Sequence, residues 1–218
     1  MSNFSLFFNA TLETLYMTVA ATLLAYVLGL PTGILLAVTD KNGIKPNRVC
    51  YTAVGTIVNI LRSVPFLILI VLLIPVTRAV VGTFIGSTAT IFPLTVAAAP
   101  YVARLVESSL KEVDGGTIEA ARSMGASDFR VVTKVMLPEA LPSLLVGFSI
   151  AITTILGYSA MAGFIGGGGL GNVAQTYGIY RYNTKTMLIS VAILVVIVQG
   201  LQAIGTYLAK KTDKRKKR

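Results

Sequence analysis

Charged residues are spaced so unevenly along this chain that the gaps between them outline its elements. Twenty-six uncharged residues separate Glu13 from Asp40, 25 separate Arg78 from Arg104, and 24 separate Lys185 from Lys210. A helix needs about 20 mainly apolar residues to cross roughly 30 Å of hydrocarbon, so each gap predicts one membrane-spanning helix. A fourth gap, from Glu139 to Arg181, leaves room for a span over 143–163 and a loop rich in glycine and tyrosine. The stretch IVNILRSVPFLILIVLLIPV is also apolar enough to cross, although Arg62 interrupts it. The pattern predicts an all-α membrane protein with five transmembrane helices, at about 15–38, 56–76, 86–106, 143–163 and 186–208.

Composition agrees. Of 218 residues, 54% are apolar and 13% charged, against roughly 45–50% and about 25% in soluble domains. Histidine is absent and Cys50 is the single cysteine. Those counts exclude a disulfide framework, a Cys/His zinc site, a His-ligated haem and any Ser-His or Cys-His nucleophile pair. The net charge of +10 is a tail rather than a face. Residues 210–218 hold seven positive charges and Asp213, a balance of +6, which leaves +4 for the other 209 residues. Nothing in that distribution points to nucleic acid.

The Lys/Arg bias of the loops sets the orientation. With the C-terminus in the cytoplasm, 16 of the 19 basic residues lie inside and only Arg78, Arg181 and Lys185 outside. Five spans then place the N-terminus outside, and residues 1–16 contain no Lys or Arg to oppose its translocation. Their lack of a positive n-region also argues against a cleaved signal peptide. Tyr177, Tyr180 and Tyr182 precede the last span, where an aromatic belt is expected.

The one sizeable polar stretch is the inside loop 107–142, ESSLKEVDGGTIEAARSMGASDFRVVTKVMLPEALP. Asp114-Gly115-Gly116 suggests a turn, Thr117 an N-cap with Glu119 in the first turn, and Gly125 a left-handed C-cap. Ser127-Asp128 restarts a helix that Leu137-Pro138 is expected to end. A short helix held at the membrane surface between two spans could dock in a partner's groove. A solvated loop with incidental helices reads equally well from these residues alone.

Within that loop, Glu119-Ala120-Ala121, three residues, Gly125, nine residues and then Val135-Met136-Leu137-Pro138 resemble the EAA loop of bacterial ABC-importer permeases. Val135 stands where isoleucine is usual. Seven such positions in register arise by chance on the order of once in 10⁵ chains or more rarely. The resemblance implies the type I importer transmembrane fold over about 12–207 of a single membrane domain, 1–218. It makes 107–142 a cytoplasmic coupling loop, with 209–218 a basic cytoplasmic tail. Glu119, Ala120, Ala121, Gly125, Leu137 and Pro138 become the coupling residues toward an ATP-binding partner. The stretches 59–86, 92–110 and GYSAMAGFIGGGGLG (157–171) are similar to those of methionine-importer permeases, five-span members of that family. Relatives that move phosphonates or quaternary amines share the fold and the loop, so methionine, with its D-isomer or close analogues, rests on RSVPF and GYSAMAG.

What the resemblance implies is a bacterial inner-membrane permease that works as a homodimer. Two cytoplasmic ATPase subunits and an extracytoplasmic binding protein would complete the importer. Five spans enclose little, so two copies about a twofold axis are needed for a pathway. The chain itself is then no enzyme and holds no cofactor: no Walker motif occurs, and ATP falls to the partner. Gly166, Gly168 and Gly171 fit G-x-G-x-x-G, but a dinucleotide site needs a preceding strand. Irregular backbone lining a cavity is the better reading. Candidates for the pathway or gate are Asn59, Arg62, Tyr158, Ser159 and Met161. Arg62 is open to two readings, a cavity charge or an arginine that snorkels or pairs structurally. Glu13 reads as solvated. Two rival classes fare worse. An intramembrane enzyme lacks histidine and span carboxylates other than Glu107 near an end, and a membrane anchor explains 210–218 but not the EAA loop.

Overall fold

The computed structural model describes residues 3–212, which are helical or in short connections. In chain order the helices are α1 (Asn3–Thr39), α2 (Arg48–Ser63), α3 (Phe66–Leu72), α4 (Ile74–Val81), α5 (Ser87–Lys111) and α6 (Gly115–Ser123). There follow α7 (Asp128–Arg130), a π-helical turn (Val131–Met136), α8 (Leu137–Glu139) and α9 (Leu141–Ala162). A 3₁₀ turn (Gly163–Ile165), α10 (Gly169–Gln175), a second π-helical turn (Thr176–Tyr180) and α11 (Thr184–Thr212) complete the described residues. Of the tail expected over 209–218, residues from 213 onward lie outside the described residues.

Among the described residues, four helical stretches are long and apolar enough to cross a membrane: Phe4–Thr39, Ser87–Lys111, Leu141–Ile165 and Thr184–Thr212. The continuous fifth span expected over 56–76 is not one rod. It breaks after Ser63 into a bent pair, α2 and α3, and counts as a span only if the pair is taken together. Pro65 is the cause. Its ring disfavours helical backbone at Val64 and it has no N–H to continue the ladder, so it caps α3 with ψ 136°. Pro75 then sits in the first turn of α4, where a missing N–H costs nothing.

The chain forms two compact units. The first takes the chain up to Ala25, Val64–Ala98 and Ala151–Gln202; the second takes Tyr26–Ser63, Ala99–Ile150 and the chain from Ala203 onward. In the first unit, Ala10, Leu170 and Val173 are buried together, with Leu6, Phe7, Tyr177 and Ile193 packed against them. That packing explains why α1 begins at Asn3 rather than near 15. In the second unit, Leu36, Val58 and Ala103 form a core with Tyr51 and Val54 against it. Here α1 approaches α5 closely at Gly29 and Gly33, one turn apart. A Cβ on Gly33 would lie 2.6 Å from Val106 Cβ, and one on Gly29 2.8 Å from the Ala99 carbonyl oxygen. Small residues four apart let membrane helices approach backbone to backbone. Replacing Gly33 by Val should therefore destabilise the detergent-solubilised protein by about 1–3 kcal/mol, the usual penalty of overpacking, visible as a lower unfolding midpoint.

Candidate functional site

The short helix of the loop 107–142 is built by its own caps. Asp114, not Thr117, is the N-cap: its Oδ2 accepts from the Thr117 N–H at 3.0 Å. Both glycines of DGG adopt helical backbone, so α6 starts three residues earlier than expected and Glu119 falls in its second turn. Gly125 does take the left-handed conformation, φ +80°. The Gly125 N–H reaches the Arg122 carbonyl at 2.9 Å and the Ala126 N–H the Ala121 carbonyl at 3.2 Å. This paired arrangement closes a helix when its exit residue is left-handed. Glu119 and Ala120 face outward, whereas Ala121 is buried within its own unit.

Leu137-Pro138 does not end the second helix of the loop. Through the π turn, the Leu137 N–H reaches the Val132 carbonyl, five residues back, and the helix runs on through Glu139. The widened turn sits just where Pro138 has no N–H and its ring would meet the carbonyl of the preceding turn. Two large apolar side chains beside α6 escaped the sequence analysis. Met124 is 82% exposed and Phe129 76%, an uncommon cost for a loop in water unless something covers it. The signal was available: two bulky apolar residues bracket Gly125 in an otherwise polar segment.

Behind α6, also in the second unit, lies a charged cluster. Glu107 is the one buried carboxylate among the described residues, its side chain 5% exposed. It pairs with Arg104 Nη1 at 2.6 Å and Lys111 Nζ at 2.7 Å and accepts from the Tyr51 hydroxyl at 3.0 Å. Arg104 Nη2 also donates to the Gly55 carbonyl and, at 2.8 Å, to Asn59 Oδ1. Lys111 bonds Asp40, just past α1, as well. The Lys111 ammonium, hydrogen-bonded to the Asp40 carboxylate, holds that carboxyl below its ordinary value. Asp40, Ile44, Lys111, Ile118, Glu119 and Arg122 line a cleft of about 490 Å³. Asn59 is thus engaged by Arg104, and the Arg62 guanidinium lies 6.0 Å from the centre of the Tyr101 ring.

The remaining candidates lie in the first unit. Tyr158 stacks on Phe66, ring centres 4.7 Å apart and nearly parallel at 8°. This joins the two segments RSVPF and GYSAMAG. Ser159 is 1% exposed; its hydroxyl donates to the Leu156 carbonyl at 2.7 Å and accepts from Thr18 at 3.4 Å. Met161 is exposed. After α9 the glycine segment turns through positive φ at Gly166, Gly168 and Gly169, and a helix, not a strand, precedes it. Glu13 is exposed, as expected, and it also accepts from the buried Gly169 N–H at 2.7 Å, while Thr14 accepts from the Leu170 N–H at 2.9 Å. Two α1 side chains therefore cap α10, which has no polar N-cap of its own.

Comparison with known proteins places this geometry. Residues 29–217 match the family model described as binding-protein-dependent transport system inner membrane component. The chain is 50% identical, over 98% of its length and 95% of the relative's, to the probable D-methionine transport system permease protein MetI of Vibrio cholerae. It is 42% identical, over 95% and 93%, to the methionine import system permease protein MetP of Bacillus subtilis. A solved structure of the MetNI methionine ABC transporter in inward facing conformations is similar with a TM-score of 0.95. The two are 45% identical, covering 97% of this chain and 98% of that one.

Two outcomes follow from these contacts. Glu13→Ala strips the buried Gly169 N–H of its acceptor and should cost about 1–3 kcal/mol, while Glu13→Gln, which keeps a carbonyl oxygen, should recover most of it in a thermal unfolding assay. Because the Asp40 carboxyl is depressed by Lys111, its stabilising share is complete above the ordinary carboxylate value of about 3.9 and is lost as pH falls through the lower folded value. Asp40→Asn should remove that part of the acid-induced fall in the unfolding midpoint.

Proposed function

The chain belongs to the family of binding-protein-dependent transport system inner membrane components, and on that premise we propose that it is the permease subunit of an ATP-driven methionine importer. The observation that carries the reading is α6. A short helix bearing EAA is ended by a left-handed Gly125 and displays Glu119 and Ala120 beside exposed Met124 and Phe129. Such a face fits a cleft in a partner that closes on ATP. Glu119, Ala120 and Gly125 act at the contact, Ala121 seats the helix in its own unit, and Leu137 and Pro138 join the loop 107–142 to α9.

Two copies of the chain enclose the pathway, two cytoplasmic ATPase subunits drive it, and an extracytoplasmic binding protein delivers substrate. ATP is bound and hydrolysed on the partner chain; this chain supplies no catalytic residue and no cofactor. The Lys/Arg bias supports an N-terminus outside and a C-terminus in the cytoplasm, with 209–218 as a basic tail and 12–207 as the transmembrane core of one membrane domain. Differential affinity of the ATPase clefts for ATP and ADP shifts the permease between inward- and outward-facing states. Tyr158, Ser159 and Met161 form the gate segment, with Ser159 fixing it to α1. Asn59 and Arg62 border the pathway from α2. Methionine is supported by the joining of RSVPF to GYSAMAG and by the relatives' named substrate, the D-isomer included.

The test is uptake by proteoliposomes holding the assembled transporter and its binding protein. Labelled methionine should accumulate only with ATP, and a phosphonate in excess should not compete; competition by the phosphonate would overturn the substrate. Gly125→Val has open space for its side chain but carries left-handed strain on the order of 1–3 kcal/mol. It should insert normally and abolish uptake.

A further inference from the structure

We infer that the charged cluster around Lys111 is the mechanical link that carries displacement of α6 into α1 and α2. This rests on the permease reading and adds which groups transmit the motion. Lys111 is the last residue of α5, and only Glu112 and Val113 separate it from Asp114, the N-cap of α6. Whatever moves the start of α6 pulls on Lys111 through that short connection. The Lys111 ammonium is held at once by Asp40, beyond the end of α1, and by Glu107. Glu107 in turn holds Tyr51 of α2, and Arg104, bound to Glu107, reaches the Gly55 carbonyl and Asn59 of α2.

One buried carboxylate and its two cations therefore bind the ends of three helices together. Apolar faces slide over one another cheaply, because dispersion and burial are not directional. Glu107 is buried, so parting it from Arg104 and Lys111 leaves an uncompensated charge, and the more exposed Lys111–Asp40 pair extends the restraint, less firmly, to α1. The cluster thus behaves as a rigid body, and a push on α6 reaches α1 and α2 without being absorbed by slippage. The apolar core of the same unit, Leu36, Val58 and Ala103, supplies burial but no such directional restraint.

The test is the ratio of ATP hydrolysed to methionine imported by the reconstituted transporter with its binding protein. Lys111→Met removes the shared cation while leaving Glu107 paired with Arg104 and Tyr51. Asp40→Asn cuts only the tie to α1 and leaves the Lys111–Glu107 pair intact, so it reports even if the first variant fails to assemble. Import should fall roughly tenfold or more in Lys111→Met, and less in Asp40→Asn. ATP hydrolysis should stay within about twofold of the unsubstituted transporter. A proportional fall of both activities would mean that the cluster only stabilises the fold, and no change in either variant would equally overturn the inference. Failure of the unsubstituted transporter to couple hydrolysis to import would instead defeat the permease reading, so the two failures are separable.

Discussion

Within a bilayer there is no water to complete an unpaired polar group, so every polar atom placed there needs a partner from the protein. Each unusual contact in this chain answers that demand. Thr14, Thr22, Thr39 and Thr95 each return a hydroxyl to the carbonyl four residues back in their own helix, and Thr90 returns its own to Gly86, just before α5. Glu107 accepts from three side chains. Glu13 and Thr14 satisfy the first N–H groups of α10, whose preceding residues are glycines with nothing to offer. The same constraint explains why irregular backbone is concentrated where neighbouring helices can serve it, around Pro65 and Gly163–Gly169.

That constraint also marks where the sequence was legible. Charge gaps located four spans because a charge inside hydrocarbon is expensive, and they placed the loop 107–142 by the same logic. They failed where a charge had found a partner. Glu13 was taken as the edge of the first span, yet α1 runs ten residues beyond it, where Leu6, Phe7 and Ala10 pack against Leu170 and Val173 and Glu13 itself caps α10. Arg104, Glu107 and Lys111 stand at helical spacing on one face of α5, but nothing in one sequence says that Tyr51, Asn59 and Asp40 meet them. The break at Pro65 was readable in principle, since proline and its preceding residue both oppose helix. The mean apolarity of the stretch concealed it.

The loop shows the same division at finer scale. The motif spacing and the left-handed glycine were fixed by residue type, and Gly125 adopts the expected backbone. The start of α6 was not, because Asp114 and Thr117 are both good caps and only the orientation of Gly115 and Gly116 decides between them. The direction each alanine faces was equally hidden. Ala120 is exposed and Ala121 is buried within its own unit, a difference that two identical residue types do not show. Exposure of Met124 and Phe129 then supplies apolar area that two alanines could not.

The two units differ in how their contacts are made, and this bears on how a transporter of this family changes shape. Restraints in the second unit are directional: ion pairs, a bridging tyrosine, and two glycines that bring helix backbones together. The first unit joins its segments through a stacked aromatic pair, a hydroxyl-to-hydroxyl bond from Thr18 to Ser159 and a glycine turn held by two side chains of α1. Stacked rings and neutral hydrogen bonds such as Thr18 to Ser159 exchange partners at small cost, about 1 kcal/mol each, whereas separating the buried Glu107 carboxylate from its cations costs several times that. Contacts of the first kind let their segments rearrange at small cost, and contacts of the second kind hold their helices in fixed register. The sequence distributes its charged and small residues accordingly: Asp40, Arg104, Glu107 and Lys111 share the unit that contains α6, while Tyr158, Ser159 and the glycine segment share the other.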